Sequence, residues 1–485
     1  MKQLAFVVIA ACTDSSTVLA PVIDSPVNDD DAVASNLDFI TLGVAHAGAE
    51  LDIASKTFTR GQPLVLDGVP FGDDLVIHMT GRAGTSTSEV AYGRTCQFQV
   101  RADGRIPSPH LFFARAVKFG SLATQPLARV GGSAITFTDG SGLLIGGTSP
   151  DGADPLRQVE RFDPRTGEYH VLDAVLPRTG AAAALLVGDD ESRVTIVGGL
   201  DLVTGVGATY VELIRADRST NQIETITDTP QMARVDLTAT TLVSGDVVVI
   251  GGQEVATKQA SSKVALVTVL NGTPIVTMSR ATLANPRSGH TATRLADDVG
   301  ASVLVAGGVD DTGMPVAAAE LYKPLSDTFS TNFNRSMIVP RRRHQAVLLP
   351  DGSVLFIGGI DATGQPVTKL ELFALDTGFV ETGNGAVLPP NAGVVDFTAT
   401  VLPDGRVLIA GGSTTADGKT PTNNVFIASL DPVDGTVDIV PTDRLAVPRA
   451  GHQATLLCDG TVLISGGTPG AEVYERYNPP SFGRR

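Results

Sequence analysis

Residues Ser302–Gly313 read SVLVAGGVDDTG. An apolar run ends on two glycines and then breaks into a polar loop. Glycine weakens a strand interior, because it packs no side chain and costs backbone entropy, so a strand that stops on two of them needs a cause. The string recurs as GLLIGGTSP, TIVGGLD, VVVIGGQE, VLFIGGID, VLIAGGST and VLISGGTP. The pairs begin at Gly146, Gly198, Gly251, Gly307, Gly358, Gly411 and Gly466, a spacing of about 50 residues. A period of that length built on glycine pairs indicates a radial β array.

Other features keep register with the glycines. Upstream of each pair lies a short strand such as HTATRL, HQAVLL, FTATVL or HQATLL, followed by a turn such as Pro350–Gly352, Pro403–Gly405, Cys458–Gly460 or Ser244–Asp246. Asp-Gly between two apolar runs is a strong hairpin signal. After the pair come a polar loop, a third strand (QVERFDP, AAELYKP, KLELFAL) and a weaker fourth strand (DTFSTNF, TGFVETG). Four strands per repeat make one propeller blade. The unit resembles the kelch repeat in PRSGH at Pro286–His290, PRAGH at Pro448–His452, ELYKP at Glu320–Pro324 and ERFDP at Glu160–Pro164. It departs in having no tryptophan, with Phe119 and Phe329 as candidate substitutes on the fourth strand. The resemblance runs from His110 to the C-terminus. It implies neighbouring blades that approach at backbone distance, where a Cβ would clash. The last unit supplies only three strands after Ala450, so the segment 111–122 is expected to close the ring and remove an open edge.

Composition agrees. The 485 residues include 52 Gly and 29 Pro, with 42% hydrophobic and 18% charged residues, enough for packed cores with many turns. A formal charge of −16 disfavours nucleic acid as a partner. The start, MKQLAFVVIAAC, has Lys2, an apolar run and small residues before Cys12. It reads as a signal peptide and resembles the bacterial lipobox, which implies acylation of Cys12 and lipid anchoring at the outer membrane, cell surface or periplasm. The expected organisation is a signal segment at 1–12, a flexible linker at 13–36, a small antiparallel β-sandwich at 37–108 and a seven-bladed propeller at 109–485. The class is all-β. Cys96 reads as a buried thiol, and pairing with Cys458 stays open, since a disulfide needs Cα atoms within about 7 Å.

One column stands out when the repeats are aligned. Three residues ahead of the histidine slot stand Arg129, Arg178, Arg234, Arg287, Arg341 and Arg449, and only the sixth repeat breaks the series, with Val394. Guanidinium forks suit carboxylates and phosphates. Two readings are open: an arginine-lined mouth that binds an acidic ligand, as related kelch propellers do, or an arginine that pins its own turn to a carbonyl. His290, His344 and His452 share a slot but alternate to the other strand face, which points to packing between blades rather than metal binding. Loop aspartates admit calcium, although Asp-x-Thr-Gly is also an ordinary turn. The stretch Gly411–Thr420, GGSTTADGKT, imitates a phosphate loop but has one residue too many and no helix after it. No HExxH, GxSxG or CxxC motif occurs. The expectation is a monomeric, non-enzymatic envelope protein that binds a protein or carbohydrate partner without a cofactor. A structural envelope scaffold and a galactose-oxidase-like carbohydrate oxidase are the alternatives.

Overall fold

The computed structural model describes residues 16–26, 36–49, 51–84, 89–102, 107–122, 127–152, 154–188, 191–216, 221–227, 229–296, 300–330, 332–469 and 473–480. It is an all-β chain of antiparallel sheets. Cys12 and the signal segment lie outside the described residues.

Seven of the sheets carry the glycine repeat. In sheet five, Gln345–Leu348, Val354–Ile357, Glu371–Ala374 and Gly378–Glu381 pair in chain order. Sheets one, two, three, four and six repeat this plan, starting at Ser133, Arg178, Thr238, Thr291 and Thr398. Sheet seven has three local strands, Gln453–Leu456, Val462–Ser465 and Glu475–Asn478, and takes its fourth from Lys118–Ser121. Only that part of the expected closing segment 111–122 joins sheet seven. Ala114–Arg115 pairs with Ala91–Arg94, and His110–Phe112 runs parallel to Val22–Asp24. Phe119 lies on Tyr477 with ring centroids 5.1 Å apart, and Phe329 on Tyr322 at 5.5 Å, which supplies the fourth-strand aromatic contact without tryptophan.

The second strands are buried on both faces. VVVI at Val247–Ile250, VLVA at Val303–Ala306 and VLFI at Val354–Ile357 are each buried throughout. That explains runs of apolar residues with no alternation. Between sheets five and six the core joins Leu355, Ile357, Leu372, Phe397, Ile409 and Phe426. The first strand of every sheet lies against that of the next, and the first strand of sheet seven lies against that of sheet one, so the contacts run in a cycle.

The glycine pair is the hinge of that contact. Both glycines of all seven pairs have positive φ, between 56° and 99°. Such backbone suits glycine and strains other residues. A Cβ on Gly307 would also stand 2.6 Å from the Arg341 carbonyl oxygen of the next sheet, and one on Gly466 would stand 2.6 Å from that of Arg129. The second glycine donates its N–H to the same carbonyl: Gly308 to Arg341 at 3.1 Å, Gly412 to Arg449 at 2.8 Å and Gly467 to Arg129 at 3.1 Å. The last bond joins sheet seven to sheet one.

The N-terminal unit is built on the order Ala114–Arg115, Ala91–Arg94, Gly72–Arg82, Phe39–His46, Ala54–Thr59, with Phe98–Val100 also on Gly72–Arg82. The expected linker at 13–36 is corrected here. Ser16–Leu19 pairs with Leu66–Pro70, and Leu19 is fully buried with Leu42, Leu66, Val69 and Leu111. Two apolar residues, Val18 and Leu19, in a polar, acidic stretch are too few to register as a strand in the sequence. The expected buried thiol at Cys96 is corrected as well: it forms a disulfide with Cys458, with Cα atoms 5.0 Å apart. The bond ties the N-terminal unit to the first hairpin turn of sheet seven. Asn478 Nδ2 adds hydrogen bonds to the Tyr92 carbonyl at 2.8 Å and the Ala114 carbonyl at 2.9 Å. Arg476 stacks on Phe112 at 4.1 Å. Cys458→Ser is expected to lower stability by about 2–4 kcal/mol in thermal or urea unfolding. A change below ~1 kcal/mol would mean that the non-covalent contacts hold the two units unaided.

Candidate functional site

The arginine column faces inward. Arg129, Arg178, Arg234, Arg287, Arg341 and Arg449 are buried, none more than 7% exposed. Each donates to the carbonyl of the first glycine in its own sheet's pair: Arg129 to Gly146 at 2.8 Å, Arg178 to Gly198 at 3.1 Å, Arg287 to Gly307 at 3.3 Å, Arg341 to Gly358 at 3.1 Å, Arg449 to Gly466 at 3.1 Å, and Arg234 to Gly251. In five sheets the guanidinium also pairs with a third-strand carboxylate, from Glu160, Glu212, Glu320, Glu371 or Glu475. That glutamate accepts from backbone N–H groups just ahead of the arginine, as Glu371 does from Ile338 at 2.9 Å and Val339 at 3.0 Å. The arginine-lined ligand site is therefore corrected. The forks are occupied by the protein's own carbonyls and carboxylates, and the turn-pinning reading describes them.

The exceptions fit the same logic. Sheet six lacks the arginine and the glutamate together, and Val394 and Phe426 share its apolar core. Sheet three keeps Arg234 but has Ala265 where the others have glutamate. There Met232, carried by the short 3-10 turn Pro230–Met232, brings its sulfur to 4.0 Å from Nη2. Burial without a carboxylate partner in contact pushes the Arg234 pKa down to about 10.

A second column, the rim, stands two residues after the arginine slot. It holds Gly131, Gly180, Asp236, Gly289, Arg343, Asp396 and Gly451. All seven have φ between 53° and 68°. Neighbours around the rim are linked by backbone bonds: Asp236 N–H to Gly180 O at 2.9 Å, Gly289 N–H to Asp236 O at 2.8 Å and Gly451 N–H to Asp396 O at 2.8 Å. Four sheets meet the left-handed requirement with glycine, and three place a charged side chain there. Arg343 pairs with Asp396, Nε to Oδ1 at 3.3 Å, and donates through Nη1 to the Ala416 carbonyl at 3.1 Å. Ala416 belongs to the loop of the phosphate-loop look-alike, so that stretch shapes the rim. Asp236 reaches solvent, but the rim around it partly desolvates its carboxyl and pushes the pKa up. Beside Asp396 a cavity of about 320 Å³ opens, lined by Gln345, Thr398, Thr400, His452 and Gln453. The sequence carried a signal for this column, since a position that is glycine or charged and never apolar differs from its neighbours. It hides in single repeats, where it reads as loop.

The histidines pack between sheets. His290, His344 and His452 are at most 5% exposed, and each Nε2 lies 3.0 Å from a hydroxyl of the preceding sheet, of Thr238, Thr291 and Thr398 respectively. Burial drives each pKa down to about 3, so the rings are neutral. The loop aspartates brace their own turns. Asp310 accepts from the Thr312 N–H at 2.8 Å and the Met314 N–H at 3.1 Å, and Asp361 from the Thr363 N–H at 2.8 Å and the Gln365 N–H at 2.9 Å. Among the described residues no three His, Cys, Asp or Glu side chains are grouped to hold a metal ion.

No family profile matches the chain, and no curated protein matches it. Solved structures do. One titled "Structure of YjhT" aligns with a TM-score of 0.46 at 15% identity, over 61% of this chain and 93% of that one. So loose a likeness bears on no residue described above.

Proposed function

We propose that the chain is a non-enzymatic binding module: a seven-bladed kelch-type propeller, exported and tethered through Cys12, that takes its ligand at the mouth of the ring. The fold reading is supported by seven sheets of one plan, the cyclic order of their first strands and the Lys118–Ser121 strand that completes sheet seven. The Cys96–Cys458 disulfide favours an oxidising compartment.

One observation carries the binding reading. Asp236, Arg343 and Asp396 hold a left-handed backbone at a column where glycine serves four other sheets; it costs Arg343 about 1–2 kcal/mol and the two aspartates less. Side chains kept where glycine would serve, at an exposed rim beside a polar cavity, support the reading that they work there.

The reading yields a test in which stability and binding move apart. A variant with Asp236→Gly, Arg343→Gly and Asp396→Gly puts glycine at every rim position. It is expected to melt within about 5 °C of the wild type, because it removes strain and only one half-exposed ion pair. It is also expected to lose capture of the partner from envelope extract by ~10-fold or more. Unfolding of this variant, or undiminished capture, would refute a binding role for the rim.

A further inference from the structure

The chemistry of the rim narrows the ligand. An acidic partner would not meet the six column guanidinium groups, which are buried and occupied; the rim offers it only Arg343, already paired with Asp396. What the rim exposes is two carboxylates against one guanidinium. Asp396 has Arg343 as its partner. Asp236 stands three sheets away; its carboxylate is exposed, among the described residues no cation pairs with it, and partial desolvation raises its pKa. The cavity beside Asp396 is lined by the amides of Gln345 and Gln453 and the hydroxyls of Thr398 and Thr400. These groups accept and donate hydrogen bonds but bring no positive charge. The loops after the glycine pairs add Glu254, Asp310, Asp311, Asp361 and Asp417 against Lys258 and Lys419, and the whole chain carries −16.

Arg343 shows what the cavity rim accepts. It leans across from sheet five, gives its fork to Asp396 and its remaining nitrogen to a loop carbonyl. A guanidinium or ammonium group from outside would find the same acceptors, plus the free carboxylate of Asp236. We propose that the mouth binds a basic peptide segment of a partner protein, with one lysine or arginine side chain on Asp236 and a second competing with Arg343 for Asp396. This rests on the mouth being the binding site. The long-range attraction of an acidic protein for a basic segment would speed encounter, and the two carboxylates would set position.

The test uses the full chain and two fluorescent peptides of equal length, one alternating Lys and Gly, the other Glu and Gly, at about 0.15 M salt where distant charges are screened. The lysine peptide is expected to bind and the glutamate peptide not. Asp236→Asn and Asp396→Asn are each expected to weaken the lysine peptide by ~5–10-fold. Arg343→Gln should strengthen it by ~3-fold or more, since it releases Asp396 while keeping a side chain in the same backbone conformation. The double variant Asp431→Asn, Asp434→Asn, on the outer hairpin of sheet six, should leave binding unchanged. Weaker binding in Arg343→Gln, equal binding of the glutamate peptide, or an equal loss in the outer-hairpin variant would each overturn the proposal. The all-glycine rim tells the two levels apart. An anionic or neutral partner lost in that variant keeps the mouth and discards the cationic ligand, whereas a partner that ignores the rim discards both.

Discussion

Arg341→Met is expected to destabilise the protein by about 3–5 kcal/mol, the range for breaking a buried ion pair from one side. Glu371 is only 1% exposed, and the substitution leaves its carboxylate with backbone donors alone. The glycine turn loses its pin too, because Arg341 holds the Gly358 carbonyl. The chain contains its own rescue. Sheet six replaces arginine and glutamate by Val394 and Phe426, which pack in one core. The double variant Arg341→Val, Glu371→Phe should therefore recover more than half of the loss. Arg234→Met should cost less than Arg341→Met, since it strands no carboxylate. Urea unfolding of the three variants measures this. Equal losses in Arg341→Met and the double variant would show that the guanidinium is needed for its carbonyl bonds and not for charge balance.

Acid should unfold the protein through its histidines well before the carboxylates titrate. An unfolded histidine has a pKa near 6.5, while burial holds His290, His344 and His452 at about 3 in the folded chain. The unfolded state then binds more protons between those values, so stability is complete above pH ~6.5 and falls as the pH drops toward 3. Each histidine contributes a slope of roughly 1.4 kcal/mol per pH unit across that window, and three of them act together. Their places in other sheets are taken by Leu237 and Phe397. A triple variant, His290→Leu, His344→Phe and His452→Phe, should flatten the loss between pH 6.5 and 4.5, read as the shift in melting temperature. A slope unchanged by the three substitutions would mean that other groups drive the acid transition.

Much of the fold was legible because its signals are local and repeated. The glycine pairs and the apolar second strands each say the same thing seven times over, and Asp-Gly turns repeat it in four of the sheets. What escaped was non-local. No spacing reveals that Cys96 meets Cys458 across 362 residues. Nor does a four-residue strand such as Ser16–Leu19 declare itself when its partner, Leu66–Pro70, lies 50 residues on. The arginine column was visible, but its direction depended on the third strand. Glutamate accompanies it in five sheets, and both are missing in sheet six. The glutamate never appears without the arginine, and only sheet three keeps the arginine alone, so the carboxylate is there to serve the guanidinium. The rim column was hidden for the opposite reason: its common feature is a backbone angle, which glycine, aspartate and arginine satisfy without resembling one another.

Whether a ligand sits at the rim can be read by a photo-crosslinking side chain at Gly289. A Cβ there meets open space, and Asp236, Arg343 and Asp396 show that the equivalent backbone carries side chains. With the same group at Asp434 on the outer hairpin as the comparison, a ligand at the mouth predicts that the lysine peptide is captured from position 289 and not from position 434. Capture at 434 alone, or equally at both, would contradict it.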